Sequence, residues 1–533
     1  MLDVLIRGGQ LIDGTGRSPR VADIGILGDR VALVGSAGPA TAREVVDATG
    51  MLVTPGLIDP HSHSDWSILG NRDALSTIHQ GVTTEVVGNC GVTHAPIAAR
   101  DVAATRATLA AYGYDGPVEW RGFGDYLDRV HASGTAQNLM WFVGHTALRQ
   151  IAMADADEGA DFQRSLERHL AEALDAGAIG FSSGLEYGAG RFAGTDELAS
   201  LARVMSRHGG MYASHIRNRD AHLRDAVDEF FRIVHAGEVK AQLSHLNVRH
   251  NTGADAHAWT DAVERLLRER EQGVDVLADM TPYPDGIGLA TGLLPAWLAD
   301  RGAAEASELL SDPEIRDRVR RDGDRYWRFV HRGEWGRVRL AVSPATPELE
   351  GLTFPQIAQA TGKDEWESYF DVLAAAGPDM GAVQFIGELF QDDHIAEAVA
   401  HDDFLLGVDG YTSRRDGPLA DRTRHPLFFH GYLHFLSYHA IRRSTLPLEA
   451  AIHKMTGAVA QHFAIADRGT LVEGNYADVV VFDTDALHRV DTFTMPDEYA
   501  TAARHVWVNG AAAVHDGVRT NDRSGRRLDR KGS

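Results

Sequence analysis

The sequence predicts an α/β protein: a (β/α)8 TIM-like barrel with a small β-sandwich domain built from both chain termini and an inserted subdomain before the last barrel strand. Three observations carry that reading. Short apolar, β-branched runs recur through the middle of the chain, separated by amphipathic segments of helical length such as 162–176 and 220–236. That alternation marks βα units around a parallel sheet. Each run ends in a polar or ligand-capable residue, and barrel enzymes keep their active site on the C-terminal face of the strands. Further strand-like runs stand near both chain ends.

In chain order, the first run, Met51 to Asp59, ends at Pro60-His61-Ser62-His63-Ser64-Asp65. Residues two apart on a strand share a face, so His61 and His63 can converge on one metal ion. An isolated pair of this kind is ordinarily two solvated histidines. The second run, Glu85 to Gly88, ends at Asn89-Cys90, the third, Trp141 to Gly144, at His145, and the fourth, Ala178 to Phe181, at Ser182-Ser183. The fifth and sixth, Met211 to Ser214 and Ala241 to Ser244, end at His215 and His245. Asp279 closes the seventh, Asp275 to Ala278, and Asp409 the eighth, Phe404 to Val408. Any one of these residues could be structural, but a whole set on one end is harder to dismiss.

Residues 280–403 are too many for one crossover helix. The stretch reads as helical and charged over 312–332 and strand-like over 333–343. It is expected to be an inserted subdomain, about 285–400, over the barrel mouth, where loops carry specificity; the other reading is that one strand is miscounted. The barrel is expected over 55–464 and the β-domain over 1–54 plus 465–520, from hairpin-like runs at 4–14 and 24–35 and strands at 477–483 and 505–510. A domain closed from both ends leaves few open edges. The basic end, 521–533, is expected to be a solvated, disordered tail.

A chain of 533 residues is long enough for a catalytic barrel with an accessory domain. It contains no uncharged apolar run of about 18 residues, so no membrane span is expected. Met1 to Gly9 lacks the basic-then-apolar order of a signal peptide, so the expected location is cytoplasmic. A formal charge of −23 repels phosphate backbones and argues against nucleic-acid binding. With one cysteine there is no internal disulfide. Cys90 is left as a ligand, a nucleophile or a small buried residue.

Longer motifs resemble the amidohydrolase superfamily, and within it the D-aminoacylase, or N-acyl-D-amino-acid deacylase, family. Leu5 to Gly16, Val53 to His63, Gly81-Val82-Thr83-Thr84 and Asp467 to Asp478 are similar to features of the superfamily. Gly88-Asn89-Cys90-Gly91, Gly144-His145, Gly177 to Tyr187, Ser214-His215-Ile216-Arg217 and Ser244-His245 resemble the narrower family. The likeness spans nearly the whole chain. It implies a zinc site of His61, His63, Cys90, His215, His245 and Asp409. One tight ion is expected on Cys90, His215 and His245, with a second, weaker one on His61, His63 and Asp409. Imidazole, thiolate and carboxylate are suitable zinc donors. The fourth strand offers no lysine to bridge two ions, and Cys90 takes that part as a thiolate.

The activity implied is hydrolysis of a C–N bond other than a peptide bond. Metal-bound hydroxide attacks the amide carbonyl, and Asp409 carries the proton to the departing amine or serves as a ligand alone. His145 either stabilises the oxyanion or supports a ligand from behind. Tyr187 is expected to bind the substrate carboxylate, or else to be a buried tyrosine bonded to backbone.

Two positions depart from the family pattern. Asn247 stands where the family usually has lysine, and His425-Pro426-Leu427 where it usually reads His-Pro-Arg. Both lost cations would have gripped a carboxylate, so ordinary N-acyl-D-amino acids are expected to be poor substrates. Arg217 is the expected substitute among Arg149, Arg217, Arg249, Arg414 and Arg415, each of which is more ordinarily structural. The leading expectation is a zinc hydrolase of an N-acyl-D-amino acid or related amide. A cyclic amide or lactam hydrolase is the alternative, and an inactive binding scaffold a remote one. The expected partner is a small acylated amine or amide; self-association into a homo-oligomer is left open.

Overall fold

The computed structural model describes residues 1–299, 301–322, 327–422, 425–496, 498–520 and 522–529. All eight runs become strands, and every pairing among them is parallel. Leu57–Asp59, Val82–Val87 and Asn138–Trp141 lie side by side in one sheet. Val143–Gly144, Gly180–Gly184, Met211–His215, Lys240–Leu243, Val276–Met280 and Phe404–Leu406 follow in that order in another. Trp141 and Val143 are separated by one residue, and Ser62 bridges Gly410 in parallel register. The strands Val82–Val87, Gly180–Gly184 and Met211–His215 are buried at every position. Burial on both faces is why the alternation of a half-exposed strand is missing from their sequences.

Helices cover these strands for the reason their spacing suggests. Phe162–Asp175 buries Leu166, Leu170, Ala173 and Leu174 on one stripe. The Asp161 carboxylate accepts from the Arg164 N–H at 2.9 Å and caps the first turn. Leu223–Gly237 buries Val227, Phe230, Phe231 and Val234 in the same way. No helix among the described residues is long and apolar enough to cross a membrane.

Below the functional ends, Ile58, Val86, Phe142, Ile179, Met211 and Leu405 pack into one apolar cluster, each from a parallel strand or its immediate edge. Leu528 packs into this cluster too, which corrects the expectation of a disordered tail. Arg527–Leu528 forms a parallel strand beside Leu139 and Met140. The Arg526 N–H donates to Asn138 Oδ1 at 3.0 Å, and the Arg526 guanidinium reaches Asp29 at 2.7 Å. Basic composition suggested solvation, but one buried leucine is worth about 1.5–3 kcal/mol and the strand satisfies its own backbone. Residues 521 and 530–533 of that expected tail lie outside the described residues.

The two chain ends share one sheet. Val479–Phe482 is antiparallel to Leu52–Pro55, which lies beside Leu2–Leu11, and Ala503–Val508 extends the sheet on the other side. Between the seventh and eighth parallel strands, Asp285–Leu289, Gln384–Glu388 and Val338–Val342 form a separate antiparallel sheet. Phe404–Leu406 nevertheless pairs directly with Val276–Met280. The intervening residues leave the parallel array without interrupting it.

Candidate metal centre

Ligand-type atoms that follow four different strands of the parallel array converge at its C-terminal end. His61, Cys90, His245 and Asp409 each place one such atom within 4.8 Å of all the others. His61 Nε2 lies 3.2 Å from Cys90 Sγ and 3.4 Å from Asp409 Oδ1, and Cys90 Sγ lies 3.4 Å from His245 Nε2. His63 joins through Nε2, 3.1 Å from the same Asp409 oxygen. The shared face expected of the His61/His63 pair thus brings both rings to one carboxylate. His215 stands close enough to Cys90 to help hold its thiol down. Its Nε2 is 2.9 Å from Glu186 Oε2, which fixes the ring from behind.

Three of the four converging residues also hold a left-handed backbone. Cys90, His245 and Asp409 have φ of 53°, 33° and 56°, left-handed values that cost a residue with a side chain about 1–3 kcal/mol. Such strain persists where the surroundings over-determine it, and it clusters at functional sites. Gly407 shows how tightly the first and last strands approach. A Cβ there would lie 2.6 Å from His61 Cβ and 2.9 Å from Asp279 Oδ1, so the contact requires glycine.

Charge is arranged to favour anions among imidazoles. Burial pushes the Cys90 thiol up, but the imidazoles of His61 and His245 outweigh it and hold the group well below the ordinary thiol value. Burial raises Asp409 as well, and His245 and His61 again prevail, so the carboxylate stays ionised. For His63 burial favours the neutral ring, yet the bonds to Asp409 and Cys90 win and push it up to about 10. His245 is pushed down to about 4 by burial and by the Arg219 guanidinium.

These residues fit a metal ion. A tetrahedral site with bonds of about 2.1 Å has ligand–ligand edges of about 3.4 Å. The His61–Cys90, Cys90–His245 and His61–Asp409 separations of 3.2 to 3.4 Å match that edge, and every pair lies within 4.8 Å. Thiolate plus imidazole is a donor set for zinc or another borderline metal and a poor one for magnesium or calcium.

Other expected site residues lie apart from this cluster. His145 begins the helix His145–Asp157, with Nε2 2.7 Å from Glu197 Oε1, and burial lowers its pKa. Its hydrogen bonds among the described residues do not reach the six candidate ligands. Tyr187 donates its hydroxyl to the Cys90 carbonyl at 3.2 Å, with its ring edge-on to His215, so it matches the backbone-bonded alternative. Arg217 pairs with Glu229 through two contacts of 2.7 and 2.9 Å and also donates to the Arg191 and Ala193 carbonyls. Asn247 and Leu427, the two positions that lack a cation, both line the cavity that opens beside His245 and Asp409.

Sequence reasoning passed over three residues that shape this centre. Asp279 was visible as the end of the seventh strand but had no assigned role. Its Oδ1 accepts from the His245 N–H at 2.8 Å, and its carboxylate lies 3.1 Å from His61 Nδ1. Glu186 is flagged only by adjacency to Tyr187. Arg219, four residues past His215, faces His245 and Asn247 at 3.3 and 3.4 Å and carries no spacing signal at all.

The chain matches the amidohydrolase family model over residues 44–330 and 413–514. It is 33% identical to a D-aminoacylase of Alcaligenes xylosoxydans xylosoxydans over 99% of this chain and 98% of that protein. An N-acyl-D-glutamate deacylase of the same organism is 34% identical over 100% and 97% of the two chains. In three dimensions the chain superposes on the N-acyl-D-glutamate deacylase of Bordetella bronchiseptica, solved with zinc and a phosphonate inhibitor. The TM-score is 0.79 with 30% identity, over 99% of each chain. A whole-chain match at this identity, joined to a convergent set of candidate metal ligands at the ends of parallel strands, means that this chain belongs to the amidohydrolase family.

Proposed function

We propose that the chain is a zinc-dependent deacylase that hydrolyses the amide of an N-acyl-D-amino acid. The observation that carries this reading is the opening of a cavity directly onto His245 and Asp409, two of the four convergent donors. A substrate in that cavity meets the centre without crossing protein. The D-aminoacylase and deacylase relatives supply the substrate class.

In this reading the two parallel sheets are one (β/α)8 barrel, joined through Trp141 and Val143 on one side and the Ser62–Gly410 bridge on the other. The ends of the chain form the β-sandwich domain against it. His61, His63, Cys90, His215, His245 and Asp409 hold zinc, with one tight ion and a weaker second position. Bound zinc supplies Lewis acidity to the substrate carbonyl and acidifies water near neutral pH.

The protein's own groups do the rest. Asp409, kept ionised by His245 and His61, accepts a proton on its carboxylate and returns it to the amine as the C–N bond breaks. Glu186 and Asp279 fix the rings of His215 and His61. The antiparallel sheet after the seventh strand contributes Asp285 and Ile287 to the cavity wall.

The test is hydrolysis of a panel of N-acyl D- and L-amino acids, their carboxamides and several lactams by zinc-loaded protein. Cleavage of the D-acids above the others is the expected result. Turnover of lactams alone would overturn the deacylase assignment in favour of a cyclic-amide hydrolase.

A further inference from the structure

We propose that Arg219 is the carboxylate-binding residue of this pocket and that it replaces, from a different strand, the two cations absent at Asn247 and Leu427. The inference rests on the deacylase reading above. Arg219 follows the strand Met211–His215, and its side chain is 9% exposed. It lines the same cavity as His245, Asn247, Asp409 and Leu427. Among the described residues lining that cavity it is the one lysine or arginine. His425, also on the wall, is pushed down to about 3 by burial and by Arg339, and is neutral.

Nearby arginines are committed elsewhere. Arg217 is locked to Glu229 and to two carbonyls. Arg249 is held by Glu186 and Asp220. Among the described residues Arg219 makes only loose contacts. Nη1 is 3.3 Å from His245 Nδ1 and 3.4 Å from Asn247 Oδ1, and Nη2 is 3.7 Å from Glu186 Oε2. Its Nε is buried with no hydrogen-bond partner. A buried guanidinium normally satisfies its donors, because an unpaired polar group away from water costs about 1–3 kcal/mol. The loosely held terminal nitrogens are the ones placed to take an anion from the cavity.

Distance selects which anion. In an N-acyl-amino acid three bonds separate the scissile carbonyl carbon from the carboxylate carbon, so the two lie less than about 4 Å apart. The group that binds the carboxylate must therefore stand directly beside the donors that face the carbonyl. Arg219 does so, since Nη1 approaches the far nitrogen of the His245 ring, whose Nε2 faces Cys90. A guanidinium also matches the planar two-oxygen geometry of a carboxylate, which the neutral Asn247 amide and the Leu427 side chain do not.

The experiment compares kcat/KM for N-acetyl-D-leucine and N-acetyl-D-leucinamide in zinc-loaded wild type, Arg219→Gln and Arg219→Lys, with zinc per chain measured for each. The ratio of acid to amide cancels any fraction of inactive protein, so it remains informative if a variant folds poorly. Wild type is expected to prefer the acid. Arg219→Gln is expected to lower the acid-to-amide ratio by roughly 10- to 100-fold at unchanged zinc content, and Arg219→Lys by less. Equal loss on both compounds would make Arg219 a structural residue and overturn the assignment, as would an unchanged ratio. A wild type that cleaves neither acid nor amide while opening lactams would instead overturn the deacylase reading.

Discussion

Buried histidines crowd two regions of this molecule, and their surroundings differ. At the strand ends His61, His63 and His245 lie among Cys90, Asp279 and Asp409, and the anions push His63 up to about 10, while burial and Arg219 take His245 down to about 4. In the helical segments Leu427–His434 and Phe435–Arg442, His430, His434 and His439, with His425 just before, lie among carbonyls, hydroxyls and rings. His439 Nε2 donates to the Pro282 carbonyl at 2.9 Å, and His425 Nδ1 accepts from the Leu427 N–H at 3.0 Å. His434 stacks on Tyr283 with ring centroids 4.0 Å apart and bonds the Thr492 hydroxyl at 2.6 Å. Burial pushes His425 down to about 3 and His430 and His439 to about 4. Burial alone makes an imidazole a neutral packing residue. Convergence with a thiolate and a carboxylate makes it a candidate metal ligand.

The largest effect that could break this contrast is removal of the thiolate. Cys90→Ala is expected to cut bound metal by more than about 100-fold in affinity and to bring hydrolysis to background. His434→Ala should leave metal content at the wild-type value. Full metal occupancy in purified Cys90→Ala protein would show that the imidazoles suffice and that the anion is not what separates the two regions.

A smaller effect is expected from neutralising Asp409 in place. Asp409→Asn preserves shape and one ligand oxygen while removing the proton acceptor, so turnover should fall by about two to four orders of magnitude with most of the metal retained. Single-turnover rates together with metal analysis separate the two consequences. Near-normal turnover would move the proton transfer to another group.

The smallest effect concerns the helix histidines. Their folded pKa values lie below the value of about 6.5 for an unfolded chain. Between pH 6.5 and about 4 the unfolded state therefore binds more protons, and stability is lost as pH falls through that window and is fully present above it. Each such histidine contributes a slope of at most about 1.4 kcal/mol per pH unit. Denaturant midpoints between pH 7.5 and 5 should fall accordingly, and His439→Phe should flatten the slope by up to one histidine's share. An unchanged slope in that variant would mean that the ring titrates normally in the folded protein.

The parallel strands, the amphipathic helices and the candidate residues at the strand ends were legible because each is a local property, whereas their grouping into one metal set came from the resemblance to the amidohydrolase family. Strand runs show as clustered apolar residues, helices as a repeat of about 3.6, and His61, Cys90, His215, His245 and Asp409 as chemistry at a run's end. Tertiary structure alone decided which of them meet. The His63–Asp409 contact joins residues 346 positions apart, and the Arg526–Asn138 contact that seats the C-terminal strand spans 388. No local pattern encodes either. Tyr187 shows the same limit: its motif was open to a substrate contact or a backbone bond, and in the fold its hydroxyl lies on the Cys90 carbonyl. Arg217 and Arg219 carry the same side chain two residues apart. Neighbours from distant segments, Glu229 for one and Asn247 and Glu186 for the other, left only the second facing the cavity, because the fold determines how completely a charge is already satisfied.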